Sequence, residues 1–119
     1  MTDIRNEPCL CLIIYEKVSL KTPLEQRRFF NYLDDTCMEL MALSKNKVCV
    51  NDDEEYKPAD SLDDRINIRG IYIPAIVDNI LYLAGLGDTY KSEFLRKAEE
   101  AKRTSDRKRT NNIMKRNGW

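Results

Sequence analysis

Between Ile66 and Arg103 the chain changes its grammar twice, and each change is marked by residues that leave the backbone little choice. Ile66 and Ile68, then Ile71 and Ile73, set β-branched side chains at period two on either side of Gly70, which is the pattern of a strand. Pro74 follows, placed where the first turn of a helix has no use for an N–H. Ile76, Val77, Ile80, Leu81 and Ala84 then recur at helical spacing, predicting a short helix that is apolar over a wide face and buried. Gly85-Leu86-Gly87 supplies the backbone freedom to end it, and Asp88 and Thr89 offer oxygens to the N–H groups that open the next helix. That helix starts with an apolar stripe, Tyr90, Phe94, Leu95, Ala98 and Ala101, and then loses it. Tyr90, Phe94 and Leu95 are expected to hold it on the bundle.

Upstream, Cys9 to Tyr15 is a continuous apolar run that fits a buried strand or a buried helix. Asn6 as a cap and Pro8 near the start tilt the reading towards a helix from about Pro8 to Val18. Thr22-Pro23-Leu24-Glu25 has the form of a capping box with a proline start, predicting a helix that runs to Leu43 or Ser44. Its stripe is Phe30, Leu33, Cys37, Leu40 and Met41, widened by Phe29 and Tyr32, and core packing explains it without a cofactor. Lys47 to Val50 reads as a short strand, and Ile66 to Ile73 as its returning partner. Between them Asn51 to Arg65 is a polar loop with four consecutive acids, Asp52, Asp53, Glu54 and Glu55. The acids lack the alternation and central glycine of a calcium loop, leaving a solvated tip or a contact surface for basic residues of a neighbouring copy.

The zero net charge of the 119 residues hides an uneven distribution. Residues 51–88 carry nine acids and three bases, whereas residues 89–119 carry ten bases and four acids, giving −6 and +6. Two such unlike surfaces can pair with each other between copies or with a charged neighbour. The absence of histidine removes the commonest general acid–base and metal ligand. Gly85-Leu86-Gly87 lies between helices and lacks the lysine and hydroxyl of a phosphate loop, and neither Asp34/Asp35 nor Asp63/Asp64 sits in an apolar surround. The chain is therefore expected not to be an enzyme and to need no cofactor or metal. Cys37 and Cys49 read as buried hydrophobes, and Cys9-x-Cys11 is too close for a zinc knuckle, so free thiols in a reducing, intracellular setting are expected. The polar start predicts no secretion leader, and no apolar run is long enough to span a bilayer.

The order of these parts resembles a known family. A capped helix bearing Phe-x-x-Tyr-Leu-Asp-Asp-x-Cys-x-Glu-Leu, ending at Leu40, is followed by a polar ribbon, the helix YIPAIVDNILYLAGLGD and the charged helix KSEFLRKAEEAKR. This looks like the head–tail connector, or adaptor, proteins of tailed bacteriophages, and the likeness covers Thr22 to Arg103. It implies a structural subunit in a ring, usually of twelve copies, beneath the portal protein. It also implies a tail or second connector protein as a further partner, and a lumen that passes DNA non-specifically. The virion's head–tail junction is the implied location.

The combined expectation is a mainly α fold, a small helical bundle with a two-stranded β-ribbon over residues 47–73 and a long C-terminal helix plus tail. Residues 1–103 form the connector domain and residues 104–119 a basic docking tail. The expected partner-binding residues are Arg103, Arg107, Lys108, Arg109, Ile113, Met114 and Trp119 at the basic end, with Asp52 to Glu55 on the acidic loop. The competing expectation is a small intracellular nucleic-acid-binding or regulatory protein that uses the basic C-terminal helix on phosphates.

Overall fold

In the computed structural model the described residues are 7–44, 48–51 and 54–116, with the side chains of the last helix described to Thr104. The chain runs through β1 (Pro8–Leu10), α1 (Cys11–Ser19), α2 (Gln26–Leu43), β2 (Arg65–Arg69), a 3-10 turn (Gly70–Tyr72), α3 (Ile73–Leu83) and α4 (Asp88–Arg116). It is a mainly helical bundle with a two-stranded antiparallel ribbon, as the periodicities predict.

The ribbon's partner differs from the sequence expectation. β2 forms its ladder with β1, with Cys9 opposite Ile66 and Leu10 opposite Arg65, and an irregularity between Pro8 and Cys9. The run Cys9 to Tyr15 is thus divided: its start is strand and the rest is helix from Cys11. Pro8, which cannot donate to a ladder, occupies the first place of this edge strand. Residues 48–50 do pair antiparallel on β2's other side, through a single bridge between Cys49 and Ile68. The amides of Val50 and Arg69 bond there to the carbonyls of Asn67 and Val48, both at 2.9 Å. Lys47 lies outside the described residues. β2 is the middle of the arrangement, and its Ile66 and Ile68 are fully buried.

The strand stops at Arg69, short of Ile71 and Ile73. Gly70 donates to the carbonyl of Glu7 at 3.0 Å and the chain tightens into the 3-10 turn, whose Tyr72 is fully buried. α3 then starts with Pro74 in its first turn, and packs against α1, α2 and α4. Ala75, Ile76, Ile80 and Leu81 enter the core, so the predicted buried helix is the hub of the bundle. Its end is a Schellman motif: the amides of Gly85 and Leu86 donate to the carbonyls of Tyr82 and Leu81, and Gly85 takes a φ of 92°.

α2 begins three residues later than its capping box implies. Glu25 is extended, with no side-chain cap bond, and the first helical residue is Gln26. Tyr15 explains the delay, because its hydroxyl donates to the carbonyl of Leu24 at 2.8 Å and Leu24 is drawn into the core. The stripe is also turned slightly: Phe29, Leu33, Thr36, Cys37 and Leu40 are buried, while Phe30, Tyr32 and Met41 are half-buried. Phe29 meets Tyr15 and Phe30 edge-on, at centroid separations of 5.1 and 5.2 Å.

Candidate docking helix and interaction surfaces

α4 is held to the bundle by a narrow seam. Phe94, Ala98 and Ala101, spaced four and three residues apart, are buried, and Tyr90 is half-buried ahead of them. Leu95 is a correction to the predicted stripe: it is 44% exposed, because one residue past Phe94 lies about 100° around the helix. Two lysines reinforce the seam. Lys91 Nζ lies 2.6 Å from both carboxylate oxygens of Glu39 on α2 and 3.2 Å from Asn79 Oδ1 on α3. The same ammonium stands over the rings of Tyr82 and Phe94, 5.5 and 4.9 Å from their centroids. Lys97 Nζ meets Asp78 Oδ2 at 2.6 Å, giving the nearly buried carboxylate of α3 its counter-charge.

The outer face is self-contained. Arg96 bonds Glu93 and Glu100, and Arg103 reaches Glu99 at 3.4 Å, all within one turn of helix. Exposed pairs of this kind add only tenths of a kcal/mol each, about 0.3–0.5, but favour the rod as a helix in water. Arg96 holds the Glu93 carboxyl below the ordinary carboxylate value, first through its hydrogen bond.

Beyond Ala101 the seam has nothing to continue with. The positions that extend it at helical spacing are Ser105, Lys108 and Asn112, all polar, yet the helix proceeds to Arg116. At 1.5 Å per residue, the fifteen residues after Ala101 add roughly 22 Å of rod. The long axis of the molecule is 51 Å against 29 and 24 Å across. Segment 102–116 holds seven bases and one acid.

Of the predicted contact residues, Arg103 is exposed and paired with Glu99. Arg107, Lys108, Arg109, Ile113 and Met114 belong to the same continuous helix, with side chains outside the described residues, as is Trp119 altogether. The start of the expected docking tail, residue 104, lies within α4. On the acidic loop Asp52 and Asp53 lie outside the described residues. Glu54 is engaged: it accepts from Asn51 Nδ2 at 3.0 Å and Asn67 Nδ2 at 3.1 Å, which hold its carboxyl below the ordinary value. Asn67 also donates to the carbonyl of Glu55 at 2.7 Å and accepts from the amide of Lys57 at 2.8 Å. One β2 side chain thus pins this end of the loop, and its signal in sequence was its place between Ile66 and Ile68, on the opposite face from both.

A second surface had no sequence forecast. Leu12, Ile13, Tyr15, Leu20 and Leu62 line an open groove of about 760 Å³ beside α1. Leu20 is 86% exposed, the most exposed large apolar side chain among the described residues. Its only signal was an apolar residue between Ser19 and Lys21, where the helical pattern has already run out.

Among the described residues no group of three or more cysteine or carboxylate side chains could hold a metal ion, and no helix is long and apolar enough to cross a membrane. Cys9, Cys11, Cys37 and Cys49 are all buried and unpaired in disulfides. No family model, curated protein or solved structure matches the chain.

Proposed function

We propose that this protein is a non-enzymatic structural subunit of a bacteriophage head–tail connector ring, joining the portal to the tail and lining the DNA passage. The observation that carries the reading is α4: among its described side chains the last buried one is Ala101, the seam positions beyond are polar in sequence, and the helix runs on to Arg116. A basic helical extension with polar residues at its seam positions suits a part whose partner is another subunit of an assembly. The resemblance over Thr22 to Arg103 supplies the kind of assembly. In this reading Arg103, Arg107, Lys108, Arg109, Ile113, Met114 and Trp119 engage the neighbouring subunit or the portal, and the acidic loop from Asp52 to Glu55 meets an adjacent copy or a tail protein. DNA passes the lumen without sequence-specific contact, and the virion is the site of action.

Ending the chain after Ala101 tests the reading. Every buried residue named above lies at or before Ala101, so the shortened chain is expected to fold with the parent's helicity and yet fail to enter the assembly. Native mass measurement of the full chain, alone and with portal protein, is expected to show a ring or ring-bound species.

The seven bases after Ala101 favour one second reading, a nucleic-acid-binding or regulatory protein. It predicts a monomer whose DNA affinity falls steeply with salt and does not depend on sequence. That result, with no higher-order species, would replace the connector assignment.

A further inference from the structure

We infer that α4 exchanges between copies of this chain: it packs on the α2 and α3 of a second copy through the contacts it makes here on its own, with Gly85 to Gly87 as the hinge. The inference goes beyond the connector reading and does not depend on the phage setting.

The elbow is the first observation. Gly85 and Gly87 are the only described residues with positive φ, at 92° and 138°. Ala84, the residue after α3, is still right-handed helical, and α4 begins at Asp88. Three residues therefore separate a hairpin of two helices from one continuous helix, and glycine adopts either backbone form readily. Nothing lies within 4 Å of where a Cβ would stand at either glycine, so no packing against them holds the bend.

The seam is the second observation. α4 runs antiparallel to α3: Lys91 reaches Asn79 and Tyr82, Lys97 reaches Asp78, and Ala101 shares a groove with Pro74. Two straightened α3–α4 helices laid antiparallel about their elbows bring each α4 against the other copy's α3 in that same order. Phe94, Ala98 and Ala101 are then buried in the second copy, and Lys91 meets that copy's Glu39. Each contact given up within one chain is regained between the two, and the pair is two-fold symmetric. Arg96, Glu99, Glu100 and Arg103 leave the outer face of α4 exposed, so no other described element lies over that face to hold it in place. Dilution favours the closed hairpin and concentration the exchanged pair.

Charge reversal across the Lys91–Glu39 pair tests the exchange. Lys91→Glu sets two carboxylates at this crossing, and Glu39→Lys sets two ammonium groups there. Neither variant can mend the pair with copies of itself, closed or exchanged. Unfolded together and refolded as an equal mixture, they should give a one-to-one heterodimer in sedimentation velocity, each crossing then holding one acid and one base. The mixture should also melt at a higher temperature than either variant alone, whereas an ordinary surface dimer would leave it melting like its components. The parent, at up to about 0.5 mM, should contain a dimer whose share falls on dilution. Gly85→Ala/Gly87→Ala strains the bend but suits a continuous helix, so it should tighten the parent's dimer at least about tenfold, and it serves where a charge variant does not fold. A mixture without heterodimer or without the raised melting temperature, a parent monomeric at every concentration, or an elbow variant no more dimeric than the parent overturns the inference. If the mixture fails while the parent still forms a ring with portal protein, the exchange is lost and the connector reading stands. Exchanged dimers that never enter a portal-bound species would keep the exchange and remove the connector reading.

Discussion

Lys91 Nζ stands 2.6 Å from each carboxylate oxygen of Glu39, tying α4 to α2 across 52 residues of chain. Both side chains keep some contact with water, at 29% and 37% exposure, so the pair lies between the weak surface case and the costly buried one. Lys91→Met would retain the packing over Tyr82 and Phe94 but leave Glu39 and Asn79 Oδ1 without this donor. The expected loss is about 1–2 kcal/mol, read as a lower urea midpoint at unchanged slope. An unchanged midpoint would show that the pair does not hold α4.

Beneath that pair, Asn79 Nδ2 donates to Thr36 Oγ1 at 2.9 Å, and the Thr36 hydroxyl donates to the carbonyl of Tyr32 at 2.7 Å. Thr36 is fully buried and Asn79 nearly so. Thr36→Val keeps the shape and removes the acceptor, stranding an amide hydrogen in the core at about 1–3 kcal/mol. Thr36→Ser keeps the oxygen and is expected to lose less. Chemical unfolding of the two variants side by side checks the order.

How much of this was legible in sequence depends on whether the deciding partner was near or far along the chain. Pro74 and Gly85 act through their own backbones, so the limits of α3 could be read directly. The seam of α4 up to Ala101 was equally readable, because Phe94, Ala98 and Ala101 recur at fixed helical spacing. The start of α2 was not, since Tyr15 decides it by holding Leu24 outside the helix. Nor was β2's partner, because strand residues 8–10 sit in a run whose apolar pattern suits helix equally. The groove, lined by α1 and by Leu62 far along the chain, belonged to the second kind of signal.

Phe94 and Leu95 are neighbours in sequence with opposite fates, the first fully buried and the second 44% exposed. Phe94→Ala removes a ring from between α3 and the Lys91 ammonium, and about 3–5 kcal/mol is expected to go with it. Leu95→Ala should stay within about 0.5 kcal/mol. Equal losses at the two positions would show that α4 does not meet the bundle through Phe94 alone of the two.

At the elbow, Gly85 has a φ of 92° and nothing within 4 Å of where a Cβ would stand. Space is not the obstacle to a side chain there; backbone conformation is. Gly85→Ala is expected to cost about 1–2 kcal/mol, reduced by the smaller entropy of the unfolded alanine chain. Thermal unfolding would detect it, and a neutral or stabilising outcome would contradict the left-handed C-cap.

The buried thiols make stability fall at alkaline pH. Burial pushes Cys9 up to about 12 from an ordinary 9.0, with Cys11 beside it adding to the shift. Burial raises Cys11 to about 11, helped by Asp64 and Asp34. Well below pH 9 both thiols are protonated in the folded and unfolded chains, and neither contributes a slope. Between pH 9 and about 11 the unfolded chain has released protons that the folded chain retains, so it is favoured as pH rises. Each thiol can remove at most about 1.4 kcal/mol per pH unit in that window. Cys37 moves in the same direction, and burial also raises Tyr72 to about 12, so the decline steepens as the window is crossed. Urea unfolding from pH 7 to about 10.5 should show a plateau followed by this decline, and Cys9→Ala/Cys11→Ala should flatten part of it after allowance for the lost packing. A disulfide-exchange reagent at about pH 8 should label the parent only as fast as it unfolds, since thiolate formation in the folded state is suppressed. Immediate labelling of all four cysteines in the native chain would show that the core around β1 is open to solvent.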